Sequence, residues 1–263
     1  MARLFIPQAS NATFSATGGL NAGFDALYPD ALSWQTRQQV DGVGTPANLT
    51  STSEGATVAF HSLQFRSTVA NATVLGIGDS ITSGFAGTVQ QNNWGWRAVN
   101  ALRSAGVRAS WLNGGHNGQT TTQFLARGKS LAAAAKPQVA IYSAFSPNDG
   151  VPTLALINTA WANVLDFLDW ASTNRIVPVV TTPVPWGTLT GPQDAFRVQL
   201  RDRVLGLRAQ GVDVIDFDAA TSTQASPARW LPGMGDGDKH PIDAGHAAMA
   251  TAVQAVLAAI LAR

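Results

Sequence analysis

The 263-residue chain contains no cysteine, which excludes disulfide staples and thiolate metal sites and suits either redox compartment. Charge is nearly as scarce. Only 13% of residues are Asp, Glu, Lys or Arg, against a usual share of about 25%, so the surface is expected to be largely neutral and polar. Seventeen Lys plus Arg against 16 Asp plus Glu leave a formal net charge of +1, with no local basic cluster. That provides no electrostatic footprint for DNA or RNA, and nucleic acid is not expected as a partner. Long apolar runs are missing too: the longest, Ala252 to Ala262, falls short of the ~20 residues a membrane-spanning helix needs. The opening Met-Ala-Arg-Leu-Phe-Ile-Pro-Gln is interrupted by Pro7 before an apolar stretch of signal-peptide length develops. Neither a signal segment nor membrane contact is expected, and compartment and oligomeric state stay open. Apolar material is not lacking. Hydrophobic residues make up 45% of the chain, enough for a full-sized core, and this argues against disorder despite the low charge.

From about Val74 onward, short β-branched runs alternate with longer stretches of helical periodicity, the pattern of helices packed on both faces of a parallel sheet. Strands are expected at Val74–Gly78, Val107–Leu112, Gln138–Ser143, Ile176–Thr181 and Val212–Phe217. Helices are expected at Trp94–Ser104, Thr121–Ala135, Thr153–Thr173, Pro192–Ala209 and Asp243–Leu261. The fold class is thus α/β, a three-layer α/β/α sandwich on a five-stranded parallel sheet, flavodoxin-like in outline. Residues 1–73 read differently. They are rich in Thr, Ser, Asn and Gly, with one alternating segment from Thr57 to Val69, and suggest a small β-rich appendage to a domain spanning 74–263. The Asn-x-Thr triplets at Asn11, Asn48 and Asn71 fall there and arise readily by chance in such a composition.

The first strand of the sheet runs into Gly76-Ile77-Gly78-Asp79-Ser80. A serine at the carboxyl end of a parallel strand stands where open α/β sheets build their sites. Ser80 is a candidate nucleophile, although a serine there also serves as a helix cap. Three other constellations follow later strands: Asn113, Gly115, Gly118 and Thr120; Ser146-Pro147-Asn148-Asp149; and His240-Pro241 with Gly245-His246.

In these four blocks, taken in order, the chain from Val74 to Arg263 resembles the GDSL serine hydrolases, the SGNH superfamily. The third block departs slightly, with Ser146 where the family usually has glycine. The resemblance implies an SGNH hydrolase fold in which Ser80 attacks an ester and His240 takes its proton. It also implies an oxyanion hole formed by the backbone N–H of Ser80, the backbone N–H of Gly118 and the side-chain amide of Asn148. The family's acid normally precedes the histidine by three positions, where this chain has Gly237; Asp238 and Asp236 flank it. Either could supply the carboxylate, or neither, leaving a Ser-His dyad. Asp243-Ala244-Gly245-His246 also spells Asp-x-x-His, but it reads as a helix start with Asp243 as N-cap, and Pro241 favours His240.

Trp186 and Trp230, near strand-end loops, are candidate substrate platforms, and His116, between two block-two glycines, is a candidate to line the site. No metal-ligand spacing involves His61 or His116, and neither metal nor cofactor is expected. Gly76-x-Gly78 lacks the third glycine of a dinucleotide loop because position 81 is Ile. Gly128-Lys129-Ser130 lacks the earlier glycine of a phosphate loop, which is Gln123. Thr82 likewise breaks the Gly-x-Ser-x-Gly elbow. The expected activity is serine esterase action on short-chain acyl esters of a small molecule or carbohydrate, with O-acetyl groups on sugars as the natural case. Two alternatives use the same scaffold: an inactive carbohydrate-binding or virion-surface module, and an acyltransferase.

Overall fold

The computed structural model describes residues 72–263; the expected appendage up to residue 71, with His61, Asn11, Asn48 and Asn71, lies outside the described residues, and its last two expected residues, Ala72 and Thr73, belong to the first strand. Five parallel strands form one sheet: β1 (Ala72–Gly78), β2 (Ala109–Gly115), β3 (Val139–Ser143), β4 (Val177–Thr181) and β5 (Asp213–Ile215), in the order β2-β1-β3-β4-β5. The helices are α1 (Ser80–Ser83), α2 (Trp94–Ser104), α3 (Thr121–Ala135), α4 (Leu154–Thr173), α5 (Gly191–Gly206), α6 (Phe217–Thr221) and α7 (Asp243–Leu261).

Strand alternation sorts the core into two layers. Leu75, Ile77, Ala140, Tyr142, Val180 and Val214 pack with Phe124 of α3, Ile157, Val164 and Phe167 of α4, and Leu200 and Val204 of α5. Their neighbours Val74, Val139, Ile141, Val179 and Ile215 face the other way, onto Trp94, Ala98 and Leu102 of α2 and Met249, Val253 and Leu257 of α7. Helix α7 is long and apolar enough to cross a membrane by length and composition, contrary to the sequence expectation. In this structure the stripe from Gly245 to Ile260 is buried, much of it in the second core layer.

Three helices match the sequence expectation in full, and local chemistry explains why. Asn93 caps α2 by accepting from Gly95 and Trp96 N–H, and Thr120 forms a capping box with Gln123 at α3. Strand ends are less regular. β2 begins two residues late because Val107 still closes the preceding turn, its N–H bonding Leu102 O. β5 stops at Ile215 because Asp216 caps α6, accepting from Ala219 N–H, and Phe217 is already helical. Asp243 does not cap α7; Ile242 holds that place, and the Asp243 carboxylate instead accepts from Thr88 N–H at 2.9 Å and Thr88 Oγ1 at 2.6 Å.

The chain crosses from β1 to the edge strand β2 and then returns to β3 on the other side. This reversal opens a crevice at the carboxyl ends of β1 and β3, the place where open α/β sheets bind ligands. Glycine lets the surrounding loops close in: a methyl group on Gly115 would collide with the backbone of Ser83, and one on Gly114 with Gly76 O. A surface hollow lined by Arg208, Asp213, Val256 and Arg263 lies at the amino end of β5, the opposite edge of the sheet from Ser80.

Candidate active site

Asp79 follows β1 directly and caps α1, accepting from Ile81 N–H at 2.9 Å. The cap is therefore Asp79, not Ser80. Ser80 is the first residue of α1, where a backbone N–H has no intrahelical acceptor. Its side chain is 7% exposed, and its Oγ lies 3.0 Å from His240 Nε2. The imidazole's other nitrogen, Nδ1, lies 3.1 Å from Asp236 Oδ2. Serine, histidine and carboxylate thus form one continuous row, drawn from loops 160 residues apart.

Asp236, not Asp238, is the carboxylate at the imidazole. A tight turn explains the choice. Asp236 N–H donates to His240 O at 2.9 Å, and the bridge between Gly235 and Pro241 closes the loop. Gly237 occupies the left-handed region at φ +90°, a conformation that strains any residue with a Cβ. This turns the chain so that Asp236 Oδ1 accepts from both Asp238 N–H (2.8 Å) and His240 N–H (3.1 Å). Partial burial raises the Asp236 pKa, but these two N–H groups and the imidazole outweigh it and hold the carboxyl below its ordinary value. The position where the family places its acid is thus taken by the glycine that makes the turn possible.

Asp238 faces away and fastens the loop to the domain. Its Oδ1 accepts from Trp186 Nε1 at 2.7 Å and Thr188 Oγ1 at 2.9 Å. Its carbonyl accepts from Trp230 Nε1 at 3.0 Å and Gly187 N–H at 2.6 Å. Trp186 and Trp230 are 7% and 8% exposed, so neither presents a free ring face to a substrate. Both indoles are spent as buried donors that anchor the histidine loop, which corrects the expectation of platforms. Arg197 secures the segment ahead of Trp230: buried between Asp194 (2.6 Å) and Asp218 (2.7 Å), it holds Asp194 where that residue's other oxygen accepts from Ala228 N–H.

Phe85 is the aromatic residue exposed beside the histidine. Its ring centroid is 4.7 Å from that of His240, and it is 50% exposed. Its carbonyl faces His246 Nε2 at 3.4 Å. Burial pushes the His246 pKa down to about 4, so this imidazole is neutral near pH 7 and belongs to the packing of α7. No motif marks Phe85; only its position five residues after Ser80 gives a hint.

The expected oxyanion donors lie on three loops, those after β1, β2 and β3. Gly118 lies beyond β2 at φ +79°, exposed, with open space where a Cβ would stand. Asn148 is exposed beyond β3, in a 3-10 turn. His116 is exposed in the same block as Gly118, with its N–H on Gly78 O at 3.1 Å and its Nδ1 3.0 Å from Asn117 O. Arg127 braces this loop through Gln119 Oε1 (2.8 Å) and Gly114 O. Asp149 is partly buried and accepts from Thr121 N–H and Oγ1, joining the third block to the start of α3.

Burial raises the Asp79 pKa to about 6, against the lowering effect of bonds from Ser146 and Ile81. The folded protein keeps this proton to about pH 6, while an unfolded chain releases it near 3.8. The folded state binds more protons between those values, so the group's contribution to stability falls as pH rises across that window. Asn at 79 does not titrate. Thermal melts should therefore show Asp79→Asn gaining on the wild type by about 2–3 kcal/mol between pH 4 and 6, then holding level. A difference that does not vary with pH would refute the assignment.

The ensemble is a three-layer α/β sandwich whose serine, histidine and carboxylate meet at the carboxyl edge of its sheet. Residues 77–248 match the family model described as GDSL-like Lipase/Acylhydrolase family, and the chain belongs to that family. Among solved structures, a member of the lipolytic protein G-D-S-L family from Veillonella parvula DSM 2008 is similar at TM-score 0.58 and 15% identity, covering 71% of this chain and 98% of that one. A GDSL-like lipase from Bacteroides thetaiotaomicron VPI-5482 gives TM-score 0.53 and 18% identity, covering 71% and 88%. A two-domain esterase active on acetylated mannans, co-crystallised with mannopentaose, gives TM-score 0.53 and 18% identity, covering 73% of this chain and 51% of that one. No curated protein matches the chain.

Proposed function

We propose that this chain is a serine esterase that removes short acyl groups, with O-acetylated carbohydrate as its natural substrate class. The observation that carries the reading is the row Ser80 Oγ to His240 Nε2 at 3.0 Å and His240 Nδ1 to Asp236 at 3.1 Å. In the reaction, Ser80 Oγ bonds to the ester carbonyl carbon as its proton passes to His240 Nε2. Asp236 keeps Nδ1–H oriented and stabilises the imidazolium. The oxyanion is met by the Ser80 and Gly118 N–H groups and the Asn148 amide. Collapse returns the proton to the departing alcohol, and water, deprotonated by the same imidazole, releases the acid and restores Ser80.

The family membership supports ester hydrolysis, and the acetylated-mannan esterase among the structural neighbours supports a carbohydrate ester. With Trp186 and Trp230 committed to the loop, Phe85 and His116 are left as the surfaces for the alcohol side. The test is a panel of aryl esters of increasing acyl length together with acetylated manno- and xylo-oligosaccharides. Acetate release from the oligosaccharides, and rates that fall as the acyl chain lengthens, are expected. Rapid cleavage of long-chain lipid esters without acetate release would overturn the substrate assignment.

A further inference from the structure

Ser146 stands where the family usually has glycine, and its side chain is fully buried at 0% exposure. Its Oγ is a four-way junction. It lies 2.5 Å from Asp79 Oδ2, 2.9 Å from Gln119 O, and 3.1 Å from both the backbone N and the side-chain Nδ2 of Asn148. These partners belong to the loops after β1, β2 and β3, the same three loops that carry Ser80, Gly118 and Asn148.

A hydroxyl has one proton to donate and two lone pairs to accept with. When Asp79 is ionised, the shortest contact takes the Ser146 proton as a charge-assisted bond, and the two lone pairs receive the two Asn148 N–H groups. Gln119 O lies 3.2 Å from Asn148 Nδ2 and shares that same amide hydrogen. The valences of the hydroxyl are then filled. The second hydrogen of the Asn148 amide is left over, on a side chain whose rotamer is fixed from below by a buried group.

We propose that Ser146 is a positioning residue that locks the Asn148 carboxamide to the Asp79 and Gln119 loops and so presets one oxyanion donor. The proposal rests on the reading of Asn148 as that donor. Alanine at 146 removes the hydroxyl and keeps only the Cβ methyl, leaving Asp79 Oδ2 without that donor and the Asn148 amide with Gln119 O alone. Glycine removes the methyl group as well and opens room for one water, which can bridge the same partners. The backbone of Ser146 is at φ −125°, which either residue adopts.

The test is steady-state hydrolysis of a short-chain ester by Ser146→Ala, Ser146→Gly, Asn148→Ala and the Ser146→Ala/Asn148→Ala double variant, each checked for folding by thermal melt. Ser146→Ala should lower kcat roughly 10-fold, the size of one well-placed hydrogen bond, with KM changed less than about twofold. Ser146→Gly should lose less, whereas a side chain that only fills space would make glycine the worse of the two. Asn148→Ala should lose on the order of 100-fold, and Ser146→Ala should cost nothing further in that background. Full activity in Ser146→Ala, or losses that multiply in the double variant, overturns the proposal.

If Asn148→Ala is itself fully active while the wild type turns over, the donor assignment fails and this proposal fails with it. If folded wild type neither hydrolyses esters nor takes a fluorophosphonate on Ser80, the esterase reading is what has failed. A readout free of turnover backs the set. Ser146 donates to the Asp79 carboxylate, which also faces Ile81 N–H, His240 and Asp149. In Ser146→Ala the 13C carboxyl titration of Asp79 should therefore move upward from its wild-type midpoint, and no movement counts against the proposal. Should Ser146→Ala not fold, Ser146→Gly and the Asn148 background carry the same comparison.

Discussion

Ser80→Ala is expected to lower kcat for short esters by roughly four to six orders of magnitude while leaving the fold intact. The size follows from what is removed. Without Oγ no acyl-enzyme can form, and what remains is the rate supplied by bound water beside the oxyanion donors. Little structural cost is expected, because the Ser80 Oγ bonds His240 Nε2 and the Asp79 cap and the Ser80 carbonyl bonds to Gly84 and Phe85 do not use it. Intact-mass analysis after fluorophosphonate treatment should find one adduct on the wild type and peptide analysis should place it on Ser80. Ser80→Ala should take none, and His240→Ala should react far more slowly because the hydroxyl then has no base within reach. Absence of any adduct on folded wild type would shift the reading to the inactive binding module.

The sequence made most of this frame legible. Alternating apolar strands and capped helices placed Trp94–Ser104, Thr121–Ala135 and Asp243–Leu261 at their observed bounds, because Asn93 and Thr120 carry the start signals of two of them in their own side chains. Ser80, Gly118 and Asn148 each follow a strand, and it was the resemblance of the four blocks, taken in order with His240, that assigned them to one site. The parts that could not be read depend on contacts between loops. Whether Asp236 or Asp238 meets the imidazole turns on the positive φ of Gly237 and on acceptors for Trp186 and Thr188, about 50 residues upstream. A tryptophan near a strand end looks like a platform until the carboxylate that takes its N–H is located. Ser146 read as a blemish in a motif because the buried acid beneath it, Asp79, lies 67 residues away.

The two carboxylates of the histidine loop should separate cleanly on substitution. Asp236→Asn keeps an oxygen to accept from the Asp238 and His240 N–H groups, so the turn should persist, but the neutral amide no longer stabilises an imidazolium. It can also present a donor to Nδ1 and select the wrong tautomer, which costs roughly 10²- to 10⁴-fold in kcat. Asp238→Ala touches nothing at the imidazole. It strips the Trp186 Nε1 and Thr188 hydroxyl of their acceptor, and a buried donor left without a partner costs about 1–3 kcal/mol. The expected result is a lowered melting temperature with kcat within a few-fold of wild type well below it.

The pH profile adds a further mark. The bonds from Asp238 and His240 hold the Asp236 carboxyl below its ordinary value of 3.8, so its contribution to stability and orientation is present above that pH and is lost only as pH falls through the lowered value. Wild-type activity should therefore show no limb from Asp236 above about pH 4. Equal losses of kcat in Asp236→Asn and Asp238→Ala would return the choice between them to open. Near-normal turnover in Asp236→Asn at neutral pH would mean that Ser80 and His240 work as a dyad, with the carboxylate serving the turn alone.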